Sequence, residues 1–203
     1  MKWLILTTSV QSAKTAQEII NARFPKSAII NADLTSGGLE NIYAALPQIT
    51  HCVIFADAEA RSGDVNFILG FLSGKKMPVY SVGKNGLETI VTHGFIKDFP
   101  SDTALYDFLN ANAAKIIREH LVHQAKQYLI DRGIPLTADN FAEAIEKGDR
   151  DLCTYFYVAG LNVNSRDSLG TPMLNIAARA DNLDMVVWLL ERGADINAAS
   201  EDR

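Results

Sequence analysis

The chain has 203 residues, 48% of them apolar, and a formal charge of −5. This length and composition allow one large or two small globular cores. The acidic balance and the lack of any Lys/Arg run exclude the electrostatic footprint of a nucleic-acid binder or of a protein held on an acidic membrane.

Apolar runs are short throughout, and none approaches the ~20 residues that span a bilayer. The first of them, from Trp3 to Leu6, is interrupted by Thr7, Thr8 and Ser9 and then turns into an amphipathic helix, which is not the pattern of a secretory leader. Residues 3–7, 28–31, 52–56, 79–82 and 95–99 read as strands, and residues 12–24, 39–46, 64–72 and 87–91 carry apolar side chains at helical spacing. Alternation of this kind implies right-handed βαβ units and an α/β domain with helices on both faces of a parallel sheet. Five strands suggest the flavodoxin-like order 2-1-3-4-5, whose switch point lies between the first and third strands. A ligand is then expected at the carboxyl ends of those strands, near Thr7, Thr8 and Ser9 on one side and Asp57 and Ala58 on the other.

Residues 52–82 read C-V-I-F-A-D-A-E-A-R-S-G-D-V-N-F-I-L-G-F-L-S-G-K-K-M-P-V-Y-S-V. An Asp ends a strand, Ser-Gly opens a helix, a Gly follows within it, and Gly-Lys precedes Pro-Val on the next strand. Together these resemble the nucleoside 2-deoxyribosyltransferase-like fold, with the TIR domain as a structural cousin, over roughly residues 3–108. The resemblance implies a helix glutamate two residues before the helix glycine, acting as nucleophile at an anomeric carbon. Here that position, counted back from Gly70, is Ile68, and counted forward from Gly63 it is Phe67; neither is an acid. Val65, Ile68, Leu69 and Leu72 form one apolar face, so Ile68 is explained by packing.

The remaining polar residues of the cleft have ordinary roles beside functional ones. Thr8 and Ser9 supply hydroxyls to a nucleotide or to a turn and helix cap. Asp57 serves a ribose or a turn, and Ser62 with Gly63 offers backbone N–H groups to a phosphate or a plain N-cap. If the domain were active, Asp57 or Asp64 would have to carry the chemistry; Asp64 in a first helical turn is otherwise a favourable charge at a helix N-terminus. His120 and His123 share a helix face, but no third ligand accompanies them, and no metal or other cofactor is expected. Cys52 and Cys153 sit in apolar surroundings that suit buried reduced thiols, which points to the cytoplasm.

From Asp102 the pattern is wholly helical until Gly133, so residues 102–138 read as a connecting and capping helix that fixes the two flanking parts relative to each other. Residues 139–203 repeat. A shift of 33, the separation of Gly160 and Gly193, sets Phe141 on Leu174, Asp151 on Asp184, Tyr155 on Trp188, Phe156 on Leu189 and Asn164 on Asn197. T-P-M-L-N-I-A-A at 171–178 and W-L-L-E-R-G-A-D-I-N at 188–197 resemble the ankyrin repeat. Q-Y-L-I-D-R-G-I-P-L-T at 127–137 is similar to the second helix and exit of a degenerate unit, at a shift of 60 rather than 66. Two full units are fewer than such a stack needs, so the array is expected to be incomplete, the alternative being that a partner or a second copy covers the last unit.

The expected architecture is a flavodoxin-like five-stranded parallel sheet domain over residues 1–101 followed by an all-α ankyrin repeat domain. The ankyrin resemblance implies binding of a protein partner through turn tips and first helices, at Arg166, Asp167, Leu169, Asn175, Arg179 and Asp181, with Trp188 in the core. The expected function is a non-catalytic interaction module fused to a degenerate nucleoside- or nucleotide-binding domain. The alternative is an enzyme acting on the N-glycosidic bond of a nucleoside, nucleotide or nicotinamide dinucleotide and directed by the repeats.

Overall fold

A computed structural model describes residues 1–33, 40–55, 63–83 and 96–200. The chain divides into two compact units, Met1–Ile116 and Ile117–Arg203.

In the first unit, β1 (Lys2–Thr7), β2 (Ala28–Asp33), β3 (His51–Phe55), β4 (Val79–Val82) and β5 (Ile96–Phe99) form a parallel sheet in the order β2-β1-β3-β4-β5. β1 and β3 are buried on both faces, as their unbroken apolar sequences require of central parallel strands. Successive side chains of β1 serve opposite faces. Leu4 and Leu6 pack beneath α2 (Glu40–Ala45) and α3 (Gly63–Gly74), whereas Trp3 and Ile5 pack against α1 (Val10–Arg23) and the first half of α4 (Asp102–Asp131).

The expected elements recur with small shifts. The helix expected over 39–46 ends at Ala45 and continues as a 3-10 turn, Leu46–Gln48. Pro47 explains the change, because it lacks an N–H and disfavours α geometry in the residue before it. The helix expected over 87–91 and the first strand residue expected at Phe95 lie outside the described residues.

The boundary between the two compact units falls within α4. Leu105, Leu109 and Ile116 belong to the core of the sheet unit, and Ala125 and Leu129 to the core of the helical one. That second core is shared by α5 (Ala138–Glu146), α6 (Arg150–Ala159), α7 (Met173–Arg179) and α8 (Leu183–Leu190), which pack as the pairs α5–α6 and α7–α8. Phe141 lies 5.7 Å from Phe156 and 6.5 Å from Trp188, ring centre to ring centre, so residues one unit apart meet in one interior.

The end of α4 and the end of the second helix in each pair follow one pattern. Gly133, Gly160 and Gly193 adopt φ of +65°, +115° and +87°. The residue after each returns a backbone N–H to the carbonyl five positions earlier: Ile134 to Leu129 at 2.9 Å, Leu161 to Phe156 at 3.0 Å, and Ala194 to Leu189 at 3.1 Å. This helix-ending motif needs a left-handed residue, for which glycine carries no side-chain penalty. The end of α4 thus has the backbone geometry of the ends of α6 and α8. Side chains agree: Arg132 lies 3.5 Å over the Tyr128 ring and Arg192 lies 4.1 Å over that of Trp188.

Candidate functional sites

The strand order places the topological switch between β1 and β3, so a ligand crevice is expected beyond Thr7 and Phe55. Of the residues read there from sequence, Asp57 and Ser62 lie outside the described residues. On the β1 side, the Thr7 hydroxyl accepts the Ser9 N–H at 3.0 Å, and the Ser9 hydroxyl accepts the Ser12 N–H at 3.2 Å as the N-cap of α1. Both oxygens therefore have local work; Thr8 beside them is half-buried. Gly63 is the first residue of α3, and the space where a side chain would stand is open.

Ile68 is wholly buried with Val65, Leu69 and Leu72, forming the apolar face read from the sequence. The neighbouring Phe67 points the other way and is 57% exposed. Asp64, the fallback carboxylate, is exposed in the first turn of α3, where its Oδ1 accepts a hydrogen bond from the Tyr43 hydroxyl of α2. That bond, with burial and the charge of Asp64 adding to it, raises the Tyr43 pKa.

His120 is buried on α4 and His123 is exposed. Among the described residues, no three His, Cys, Asp or Glu side chains are grouped to hold a metal ion. No helix there is long and apolar enough to cross a membrane.

The repeat loops carry the other set of candidate residues. The Asp167 carboxylate accepts the N–H groups of Leu169 at 3.0 Å and Thr171 at 2.7 Å, and Gly170 takes φ +78°, closing a tight turn. Arg166 donates from one guanidinium nitrogen to the carbonyls of Gly170 and Ala199, each at 2.7 Å. It therefore ties its own turn to the following loop. Asn175 donates to Ala198 at 3.4 Å. Leu169 stands at the tip of the turn, 70% exposed. Arg179 at the end of α7 and Asp181 beyond it are also exposed. Six residues chosen for one role thus divide in the structure: Arg166, Asp167 and Asn175 build the loop, and Leu169, Arg179 and Asp181 face outward.

Two loop-building residues escaped the sequence reading. Asn164 donates to the Gly193 carbonyl at 3.0 Å and accepts the Asp195 N–H at 2.8 Å, stitching one loop to the next. Asp139 accepts the Ser168 N–H at 2.6 Å and holds the turn from the preceding unit. The coincidence of Asn164 with Asn197 was a signal for the first; nothing local marked the second. α7 begins at Met173, with Pro172 as its N-cap. Trp188 is buried in the core, as its match to Tyr155 predicts.

The outer side of the last pair is apolar. Leu183, Val187 and Ile196 are exposed there. Val163, one period before Ile196, is 4% exposed against 73% for its counterpart, because the next helix pair covers only the earlier position.

Residues 157–203 match a family model described as ankyrin repeats (many copies). A putative ankyrin repeat-containing protein of Treponema pallidum (strain Nichols) is 31% identical over 97 residues, 48% of this chain and 33% of that protein. The chain therefore spans about a third of the length of the relative it matches. No solved structure matches the chain. With its helix pairs, glycine exits and stitched loops, the C-terminal part of this chain carries ankyrin repeats, a protein-interaction architecture.

Proposed function

We infer that the chain is a non-catalytic interaction protein, in which the repeats bind a protein partner through Leu169, Arg179 and Asp181, positioned by Arg166, Asp167 and Asn175. The observation that carries this reading is the turn at 166–172. An exposed leucine stands on a tip whose backbone N–H groups already donate to Asp167 and whose Gly170 carbonyl already accepts from Arg166. Such a tip loses little conformational freedom when it is covered. The first unit is a flavodoxin-like domain akin to the nucleoside 2-deoxyribosyltransferase-like fold, and Thr8, Ser9, Asp57, Ser62 and Gly63 are the residues its sequence assigns to a nucleotide-type ligand. The strand order supports such a ligand site, and the burial of Ile68 at the family's nucleophile position supports the lack of turnover. Free, buried Cys52 and Cys153 support a reducing compartment, the cytosol.

Site-specific photo-crosslinking in cells tests the interaction reading. A crosslinker at position 169 or 179 captures one defined protein that a crosslinker at Glu119, on α4, does not, and Leu169→Arg abolishes the capture. Equal capture from all three positions, or capture unaffected by Leu169→Arg, overturns the reading. Incubating purified protein with nucleosides, nucleotides and nicotinamide dinucleotide releases no free base. Release that is lost in the double variant Asp57→Asn, Asp64→Asn establishes the glycosidic enzyme instead.

A further inference from the structure

Asp64 and Phe67 line, with Tyr43, Leu46, Pro47 and Phe71, an open cavity of about 450 Å³ between α3 and the α2–3-10 segment. That size lies within the roughly 300–1,000 Å³ of small-molecule sites. Asp64, Phe67 and Phe71 follow one another at i, i+3 and i+7, so one face of α3 forms a wall about 10 Å long. The opposite wall is Tyr43, Leu46 and Pro47.

The wall chemistry is lopsided. Three aromatic rings, a leucine and a proline supply apolar surface, and the polar atoms of the lining side chains gather at one end, where the Tyr43 hydroxyl donates to the Asp64 carboxylate. Asp64 makes no ion pair and no other side-chain hydrogen bond among the described residues. A carboxylate has capacity for further donors after one oxygen has accepted a hydroxyl. Tyr43 stands edge-on to Phe67 with ring centres 5.5 Å apart. At the far end the Lys75 ammonium lies 5.1 Å from the Phe71 ring centre and donates to the Pro47 carbonyl at 3.1 Å. The groove is therefore negative at its Asp64 end and positive at its Lys75 end.

We propose that this groove is a binding site for a small apolar ammonium, an aryl- or alkylamine whose cationic head pairs with Asp64 beside the Tyr43 and Phe67 rings and whose body lies along Leu46, Pro47 and Phe71. Charge decides the class of ligand. A carboxylate head would meet Asp64 and be repelled, and a neutral head forgoes both the ion pair and the attraction of a cation to the aromatic faces. The polarity of the groove also fixes direction, because Lys75 disfavours the cationic head at the other end. A tyrosine hydroxyl carries its proton at neutral pH, so Tyr43 donates to Asp64 there. This assignment is independent of the crevice at the β1–β3 switch and of the repeats.

An isosteric series on the full chain tests it: tryptamine, neutral tryptophol and anionic indole-3-propionate, followed through backbone amide shifts. Tryptamine saturates with a dissociation constant on the order of 1 mM or tighter, as a ligand of this size allows. It shifts the amides between Tyr43 and Phe71 that border the groove. Tryptophol binds at least about tenfold more weakly, and indole-3-propionate does not bind. Asp64→Asn brings tryptamine to the level of tryptophol with the protein's own spectrum otherwise unchanged, and Phe67→Ala weakens both. Equal affinity for tryptamine and tryptophol overturns the proposal. So does tryptamine binding indifferent to Asp64→Asn, or shifts confined to other residues. Groove amides that move with protein concentration alone assign the face to a second copy and overturn it as well.

Discussion

Positions 148 and 181 occupy the same place in successive units, and both have left-handed backbone, φ +70° at Gly148 and +53° at Asp181. Each precedes the residue that caps the next helix, Asp149 before α6 and Asn182 before α8. Glycine holds this conformation without strain, and aspartate at some cost. Asp181→Gly is therefore expected to raise stability by about 0.5–1 kcal/mol, read as a higher urea midpoint at unchanged slope. The reverse change is crowded as well as strained, because a side chain at 148 would stand 2.5 Å from the Asn182 amide. Gly148→Ala should cost about 1–3 kcal/mol by the same measurement. Asp181 is also a proposed contact residue, so a stabilised Asp181→Gly that captures partner less well separates the two roles.

At the scale of the element, α4 carries a buried histidine. Burial is the main cause of a lowered pKa at His120, and the charge of His123 one turn on adds to it. The folded chain therefore holds the neutral imidazole more strongly than the unfolded chain, whose histidine titrates near the ordinary 6.5. Above that pH both states are neutral and the preference is intact. As pH falls below it the unfolded state takes up the proton first, so stability drops until the folded pKa is passed. Urea midpoints at pH 7.5 and 5.5 should differ more in the natural chain than in His120→Gln, and equal differences would remove the role assigned to His120.

What could be read from the sequence also divides by element. Val65, Ile68, Leu69 and Leu72 announced their face of α3, and the recurrence of Gly160 at Gly193 announced a repeated exit, because both are periodic and local. The Tyr43–Asp64 bond, the Ser168–Asp139 bond and the paired work of Arg166 are side-chain choices between segments 21 to 33 residues apart. Such pairings leave no period behind. Periodicity likewise carried the expected helix over Leu46, where Pro47 in fact imposes a tighter turn.

For the whole molecule, the division into two cores has a measurable form, since one of the two tryptophans stands in each. Trp3 stacks on His51 at 4.6 Å in the sheet unit, and Trp188 packs against Phe141 in the helical one. Truncating the buried Phe156 should cost about 3–5 kcal/mol. In single-tryptophan backgrounds, Phe156→Ala should lower the unfolding midpoint reported by Trp188 well before that reported by Trp3. Equal displacement of both would mean that the helix shared by the two cores makes them one cooperative body.

Each core also encloses a free thiol, Cys52 beneath α3 and Cys153 in α6. Burial drives both away from the reactive thiolate; for Cys153, with Asp149 adding to it, the pKa is pushed up to about 12. A folded chain should thus resist alkylation at either cysteine, and each label, once it appears, timestamps the opening of its own unit. The two residues form a built-in pair of clocks, distinguishable by peptide mass, with which the breathing of sheet and repeats can be timed in a living cell.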